Sequence, residues 1–169
     1  MPKHITAPFS KETLASLRAG DQVLISGTIY SARDAAHRRM YEALKNEEEM
    51  PINLSGVAIY YMGPTPARSG RAIGSAGPTT AGRMDAYTPA LLAEGMVAMI
   101  GKGRRSPTVI EAIKKHGAVY FATIGGAGAL LSQAITAAEC VAYADLGPEA
   151  IYRLEVRDFP AFVMIDGGR

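Results

Sequence analysis

With 169 residues, 48% of them apolar and 20% charged, the chain can bury a substantial core as one domain and has neither a disordered nor a fibrous composition. Its formal charge of +2 is too small to argue for nucleic acid, whose binders gather basic residues on one face. The single cysteine, Cys140, excludes an internal disulfide and a self-contained zinc or iron–sulfur site built on several thiolates.

Residues 10–19, SKETLASLRA, read as a short amphipathic helix with Ser10 as its cap, closed by Gly20-Asp21. QVLISGTIYSAR alternates as a strand, with Val23 and Ile25 on one face and Leu24 on the other. RDAAHRRMYEALKNEEE is helical, with Ala36, Met40, Ala43 and Leu44 on one stripe, and Met50-Pro51 ends it. GVAIYYMG is a short apolar strand. The glycine- and proline-rich run PTPARSGRAIGSAGPTTAG follows, and a loop of that length is usually functional or disordered.

GPTTAGRMD (77–85) reads as the mouth of a helix capped by Thr79 or Thr80, with Arg83 close behind. From residue 86 the pattern alternates: helix AYTPALLAEG, strand MVAMIGKG, helix SPTVIEAIKKHG, strand AVYFATIG, helix GAGALLSQAI, strand AAECVAYAD, then strands within AIYRLEVRDFPAFVMIDG. The helix after Ser106 has strong boundaries: Ser106 caps it, Pro107 opens it, and Lys114, Lys115 and His116 precede Gly117. Such alternation predicts an α/β fold with a parallel sheet covered by helices. No stretch approaches about 18 consecutive apolar residues, and MPKHITAPF lacks the apolar segment of a signal peptide. A cytoplasmic protein with no membrane contact is therefore expected.

Several signatures fail. GGAGALLSQ lacks the third glycine of a dinucleotide fingerprint, because Leu131 stands in its place. Around Lys102 a phosphate-binding loop is ruled out by Gly103 at the Ser/Thr position. His4, His37 and His116 share no metal spacing, and His37 reads as an exposed helix residue. The pair Arg38-Arg39 and the cluster Lys102, Arg104, Arg105 read as solvated ends, and Cys140, within AAECVAYADL, as a buried inert thiol.

Cations at element ends remain. Arg33 follows a strand, Thr79, Thr80 and Arg83 stand at a helix mouth, and Lys102 lies in a Gly-Lys-Gly turn after another strand. Ligands of open α/β sheets sit outside the carboxyl ends of strands, near helix N-termini that favour anions. Taken singly, each position reads equally as a cap or an exposed arginine, and convergence on one anion stays open at this level.

ARDAAH (32–37), GPTPARSGRAIGSAGPTTAGRMD (63–85), GKG (101–103) and KKHGAVYFATIGGAGALL (114–131) together resemble the C-terminal, or beta, part of the iron–sulfur-dependent hydro-lyases, the family of class I fumarate hydratase and L-tartrate dehydratase. The resemblance implies a swivelling β/β/α domain over residues 1–169. It places a [4Fe–4S] cluster on an alpha part with three ligating cysteines. No such part is present here, which implies a two-subunit enzyme and a hetero-oligomer.

By the same resemblance Arg33, Thr79, Thr80, Arg83 and Lys102 hold a small dicarboxylate. The chemistry asks for those types. Removing a proton beside a carboxylate piles charge onto it, and fixed cations stabilise that charge more in the transition state than in the ground state. Arginine forks clamp carboxylates, a role assigned to Arg33 and Arg83, while Lys102 supplies a point charge. Thr79 is the candidate proton-transfer group, with Thr80 positioning the substrate. Hydration of fumarate to (S)-malate is the implied reaction, tartrate dehydration its alternative, and a non-catalytic carboxylate-binding module a reading of another class.

Overall fold

The computed structural model describes residues 1–62, 74, 76–123 and 128–168. Most of the loop at 63–75, and Gly125 and Gly126 of the glycine-rich stretch, lie outside the described residues. In chain order the elements are β1 (Lys3–Ala7), α1 (Lys11–Ser16), β2 (Gln22–Ser31), α2 (Asp34–Lys45), β3 (Ala58–Tyr60), a 3-10 turn (Ala81–Met84), α3 (Thr88–Ala93), β4 (Ala98–Gly101), α4 (Pro107–His116), β5 (Val119–Ala122), α5 (Gly128–Ser132), β6 (Ile135–Ala142), a second 3-10 segment (Ala144–Glu149) and β7 (Ile151–Ile165). The fold is α/β with a mixed sheet. None of the described helices is long and apolar enough to cross a membrane.

Strands β2, β3, β4 and β5 run parallel in that order. β7 then pairs antiparallel with both β5 and β2, so the five strands close into a ring. Closure removes the edges of these strands, and β1 and β6 pair outside the ring with β2 and β7. Alternation sorts the side chains into two cores. Tyr60, Ile100 and Phe121 join Ile25, Ile29 and Leu154 on one face. Ile59, Met99 and Tyr120 meet Met40, Leu91, Val109 and Ile113 of α2, α3 and α4 on the other. The face that carries α2, α3 and α4 is the outer one, so the first core fills the ring, with Leu14 of α1 and Leu131 of α5 packed against it. Strands covered on both faces read as continuous apolar runs, as AIY, AMIG and VYFA do.

Local signals explain several elements. Ser10 Oγ accepts from the Thr13 amide at 3.0 Å, and Ser106 Oγ from the Val109 amide at 3.3 Å, each satisfying an orphan donor at its helix start. In α2 the buried stripe holds Ala36, Met40 and Ala43 as expected, and His37 with them.

Other expectations are corrected. A strand, β1, forms at Lys3–Ala7, where only Ile5 and Ala7 are buried. The last stretch is one strand of 15 residues. Its irregular middle, Asp158–Pro160, lies between the segments that pair with β6 and with β5. The helix mouth at Thr79-Thr80 is a single 3-10 turn, and the hydroxyl of Thr80 makes no capping bond. Thr80 instead extends β4 as a parallel bridge to Lys102, whose carbonyl takes the Ala81 amide at 2.9 Å. The Arg83 amide, one of the donors a cap would take, bonds the Thr80 carbonyl at 3.4 Å instead.

Three side chains also change environment. Cys140 is exposed, because β6 is an edge strand with little packed on it. His37 is fully buried against Tyr61, and Arg105 is buried rather than solvated.

Candidate functional site

The parallel strands end level with one another. Ser31 is opposite Tyr60, and the Tyr61 amide donates to the Ile100 carbonyl at 2.8 Å. Arg33 therefore leaves β2 on the edge where Lys102 leaves β4. The chain returns to that edge at Thr79, whose amide donates to the Tyr61 carbonyl at 2.8 Å. Gly101 makes the approach possible, since a Cβ there would lie 2.7 Å from the Tyr61 ring and 3.3 Å from Ala81 Cβ.

This edge gathers the five expected residues. Thr80 and Lys102 are joined by their bridge, and Arg83 lies one turn beyond Thr80. Asp34 ties the two arginines together: its Oδ1 is 3.4 Å from Arg33 Nε and its Oδ2 is 3.9 Å from Arg83 Nη1. Glu149 Oε1 is 3.5 Å from Arg33 Nε as well. The arginine side chains are 28% and 54% exposed, so both guanidinium groups reach solvent.

The helix N-termini contribute less than the sequence suggests. At α2 the Ala35 amide donates to Glu149 at 3.2 Å, and at the 3-10 turn the Ala81 amide is held by Lys102. With these two amides engaged, side-chain cations are the main attraction this edge offers an anion. An open groove of about 510 Å³ shares Asp34 and Glu149 with the arginines but is lined by none of the five residues. Three carboxylates on its wall, Asp34, Glu42 and Glu149, outnumber Arg38 and Arg39 there and make it a poor host for a diacid.

Beneath the edge lies a layer that sequence reasoning missed. The Arg105 guanidinium donates to Asp85 Oδ1 at 2.7 Å, to Thr88 Oγ1 at 2.9 Å and to the Tyr61 hydroxyl at 3.1 Å. No local signal marks Arg105, because its partners are 17 to 44 residues away. Asp34 was legible only as the neighbour of Arg33 in ARDAAH.

His37 belongs to the same layer. Its Nδ1–H donates to the Arg33 carbonyl at 3.0 Å, which fixes the tautomer, and Nε2 has no partner among the described residues. Burial drives its pKa from 6.5 down to about 4, against the opposing Arg33 hydrogen bond. The folded state thus holds His37 neutral while the unfolded chain protonates it. Stability is complete above pH 6.5 and falls as the pH drops toward 4, by on the order of 3 kcal/mol in all. Urea titrations across that window should show this slope, and His37→Gln should flatten it.

Comparison with known proteins then fits this arrangement. Residues 3–168 match the family model described as "Fumarase C-terminus". The chain is 46% identical over 161 residues to "Fumarate hydratase class I, aerobic" of Escherichia coli (strain K12), covering 92% of this chain and 29% of that protein. It is 41% identical over 158 residues to "Fumarate hydratase 2" of Leishmania major, covering 92% and 28% respectively. It is 36% identical over 163 residues to "Putative L(+)-tartrate dehydratase subunit beta" of Methanocaldococcus jannaschii, covering 93% of this chain and 84% of that one. The chain spans less than a third of the length of these fumarate hydratases, and most of the length of the tartrate dehydratase subunit. A match running almost end to end, through every segment that builds the cationic edge, makes this chain a member of the fumarase C-terminus family.

Proposed function

We propose that residues 1–169 act as the beta unit of a two-part hydro-lyase that hydrates fumarate reversibly to (S)-malate. The observation that carries this reading is the meeting of Arg33, Thr79, Thr80, Arg83 and Lys102 at one strand edge in a chain of this family. Arg33 and Arg83 clamp the carboxylates with planar forks. Lys102 adds a compact charge where the carboxylate gains electron density as the neighbouring proton leaves. Thr80 orients the substrate, and the Thr79 hydroxyl is our candidate for moving the proton, provided the adjacent cations lower its pKa. Asp34 holds the two guanidinium groups toward each other before substrate arrives.

A [4Fe–4S] cluster does not fit this chain. The sequence has one cysteine, Cys140, exposed on β6, and no three His, Cys, Asp or Glu residues are grouped for a metal among the described residues. We assign the cluster to an alpha partner with three ligating cysteines, and no step above runs through it. A relative of similar extent carries "subunit beta" in its name, and the fumarate hydratases continue well beyond the matched region, which supports such a partner and a hetero-oligomer. A closed strand ring with α2, α3 and α4 on its outer side suits a swivelling β/β/α domain. An exposed free thiol suits a reducing compartment such as the cytoplasm.

The tartrate reading keeps a specific support, since the relative of comparable extent bears that name. Anaerobic co-expression with the alpha partner, followed by assay on malate and on tartrate, separates the two. Malate turnover supports the proposal and turnover of tartrate alone supports the alternative. A loaded complex inert to both leaves a carboxylate-binding module.

A further inference from the structure

The Arg105 side chain is 0% exposed and forms an ion pair with Asp85, 20 residues earlier. A buried ion pair seldom stabilises a fold more than well-packed apolar groups would, because both charges lose their hydration. Arg105 Nη1 adds to that cost, having no hydrogen-bond partner among the described residues. A group this costly should be holding something in place.

What it holds are the two segments that bear cations. One runs from Thr79 to Asp85 and carries Arg83; the other runs from Gly101 to Ser106 and carries Lys102. They are fastened at one end by the Ala81 amide on the Lys102 carbonyl. At the other end Asp85 accepts the Arg105 Nε–H at 2.7 Å through one oxygen and the Ser106 amide at 2.8 Å through the other. The Arg105 guanidinium carbon also lies 5.2 Å from the centre of the Tyr61 ring and 4.8 Å from that of Tyr120. Tyr120 in turn donates its hydroxyl to the Gly103 carbonyl at 2.8 Å. Tyr61 extends the frame to the third cation, because His37 packs edge-on against its ring at 5.3 Å and bonds the Arg33 carbonyl.

We propose that Arg105 is a positioning residue for the dicarboxylate site, fixing Lys102 and Arg83 relative to each other through Asp85 and Ser106 without touching substrate. This rests on the functional reading above. A displacement of about 1 Å at a reacting group can cost about a hundredfold in rate. Lysine at 105 keeps the charge but loses the fork that reaches Asp85, Thr88 and Tyr61 together.

The test is a double-mutant cycle in the enzyme assembled with its alpha partner, using Arg105→Lys, Lys102→Ala and the pair. Leu14→Ala, the buried residue that α1 packs against the first core, serves as a destabilised control. The expected result is a 10- to 100-fold fall in kcat for Arg105→Lys, a normal kcat for Leu14→Ala, and little further loss when Arg105→Lys is added to Lys102→Ala. If Arg105→Lys does not fold, Asp85→Asn, which keeps an oxygen for the Ser106 amide, replaces it in the same cycle. Near-normal kcat for Arg105→Lys, or a loss that simply multiplies with that of Lys102→Ala, overturns the positioning role alone. Near-normal turnover of Lys102→Ala overturns the dicarboxylate reading and the positioning role with it.

Discussion

Lys102→Ala, assayed in the assembled enzyme, is expected to lower kcat by about 10²–10³-fold while the chain stays folded, the range found when one preorganised charge-stabilising group is lost. The fold should tolerate the change. Lys102 is held by its backbone, through the Thr80 bridge and its carbonyl bond to Ala81, and both survive truncation of the side chain. Arg83→Ala should act differently, mainly raising KM by about 10- to 100-fold, since charge-assisted hydrogen bonds contribute about 1.5–3 kcal/mol. Its side chain is 54% exposed and its one ion pair among the described residues, to Asp34 at 3.9 Å, is long, so little stability rides on it. Circular dichroism melts beside steady-state kinetics would check both halves. Near-normal kcat for Lys102→Ala together with a near-normal KM for Arg83→Ala would remove the clamp from the mechanism.

The largest effect on stability is expected at Gly27→Ala. Gly27 has φ +104, and a Cβ there would run into the Ala7 carbonyl oxygen and lie 3.1 Å from its carbon. Ala7 cannot step aside, because β1 is paired with β2 along its whole length and Ala7 faces Gly27 in that register. Strain at positive φ costs about 1–3 kcal/mol and the backbone clash adds to it, so a loss of about 4 kcal/mol or more is expected. For a chain of this size that lowers Tm by roughly 8–16 °C. Gly20→Ala separates the two terms, since Gly20 has φ +95 with nothing within 4 Å of a Cβ. Thermal melts of the pair should differ by the clash alone, and equal melts would show that β1 gives way.

Legibility in the sequence followed the range of the interaction. The helices and strands between residues 86 and 122 could be read because caps, apolar periodicity and Gly117 all act within a few residues. β1 could not, since five residues with two buried side chains leave almost no pattern. The bridge from Thr80 to Lys102, the buried Arg105 and the buried His37 share one cause: each depends on a partner that only the topology delivers, namely Lys102, Asp85 and Tyr61. The five candidate site residues were legible through resemblance, whereas their grouping is a product of level strand ends. Of the two carboxylates that face the arginines, Asp34 carried only its place beside Arg33 in ARDAAH, and Glu149 no signal beyond being acidic.

The placement of β7 has a consequence for biosynthesis. This strand is the latest of the seven to leave the ribosome, yet it supplies the antiparallel partner of β2 and of β5. A nascent chain can therefore assemble the parallel run β2 to β5 but cannot seal it until residues 151–165 emerge. Until then two unsatisfied strand borders stand open to pairing with other chains, so this protein should depend on chaperone protection during translation more than its size suggests.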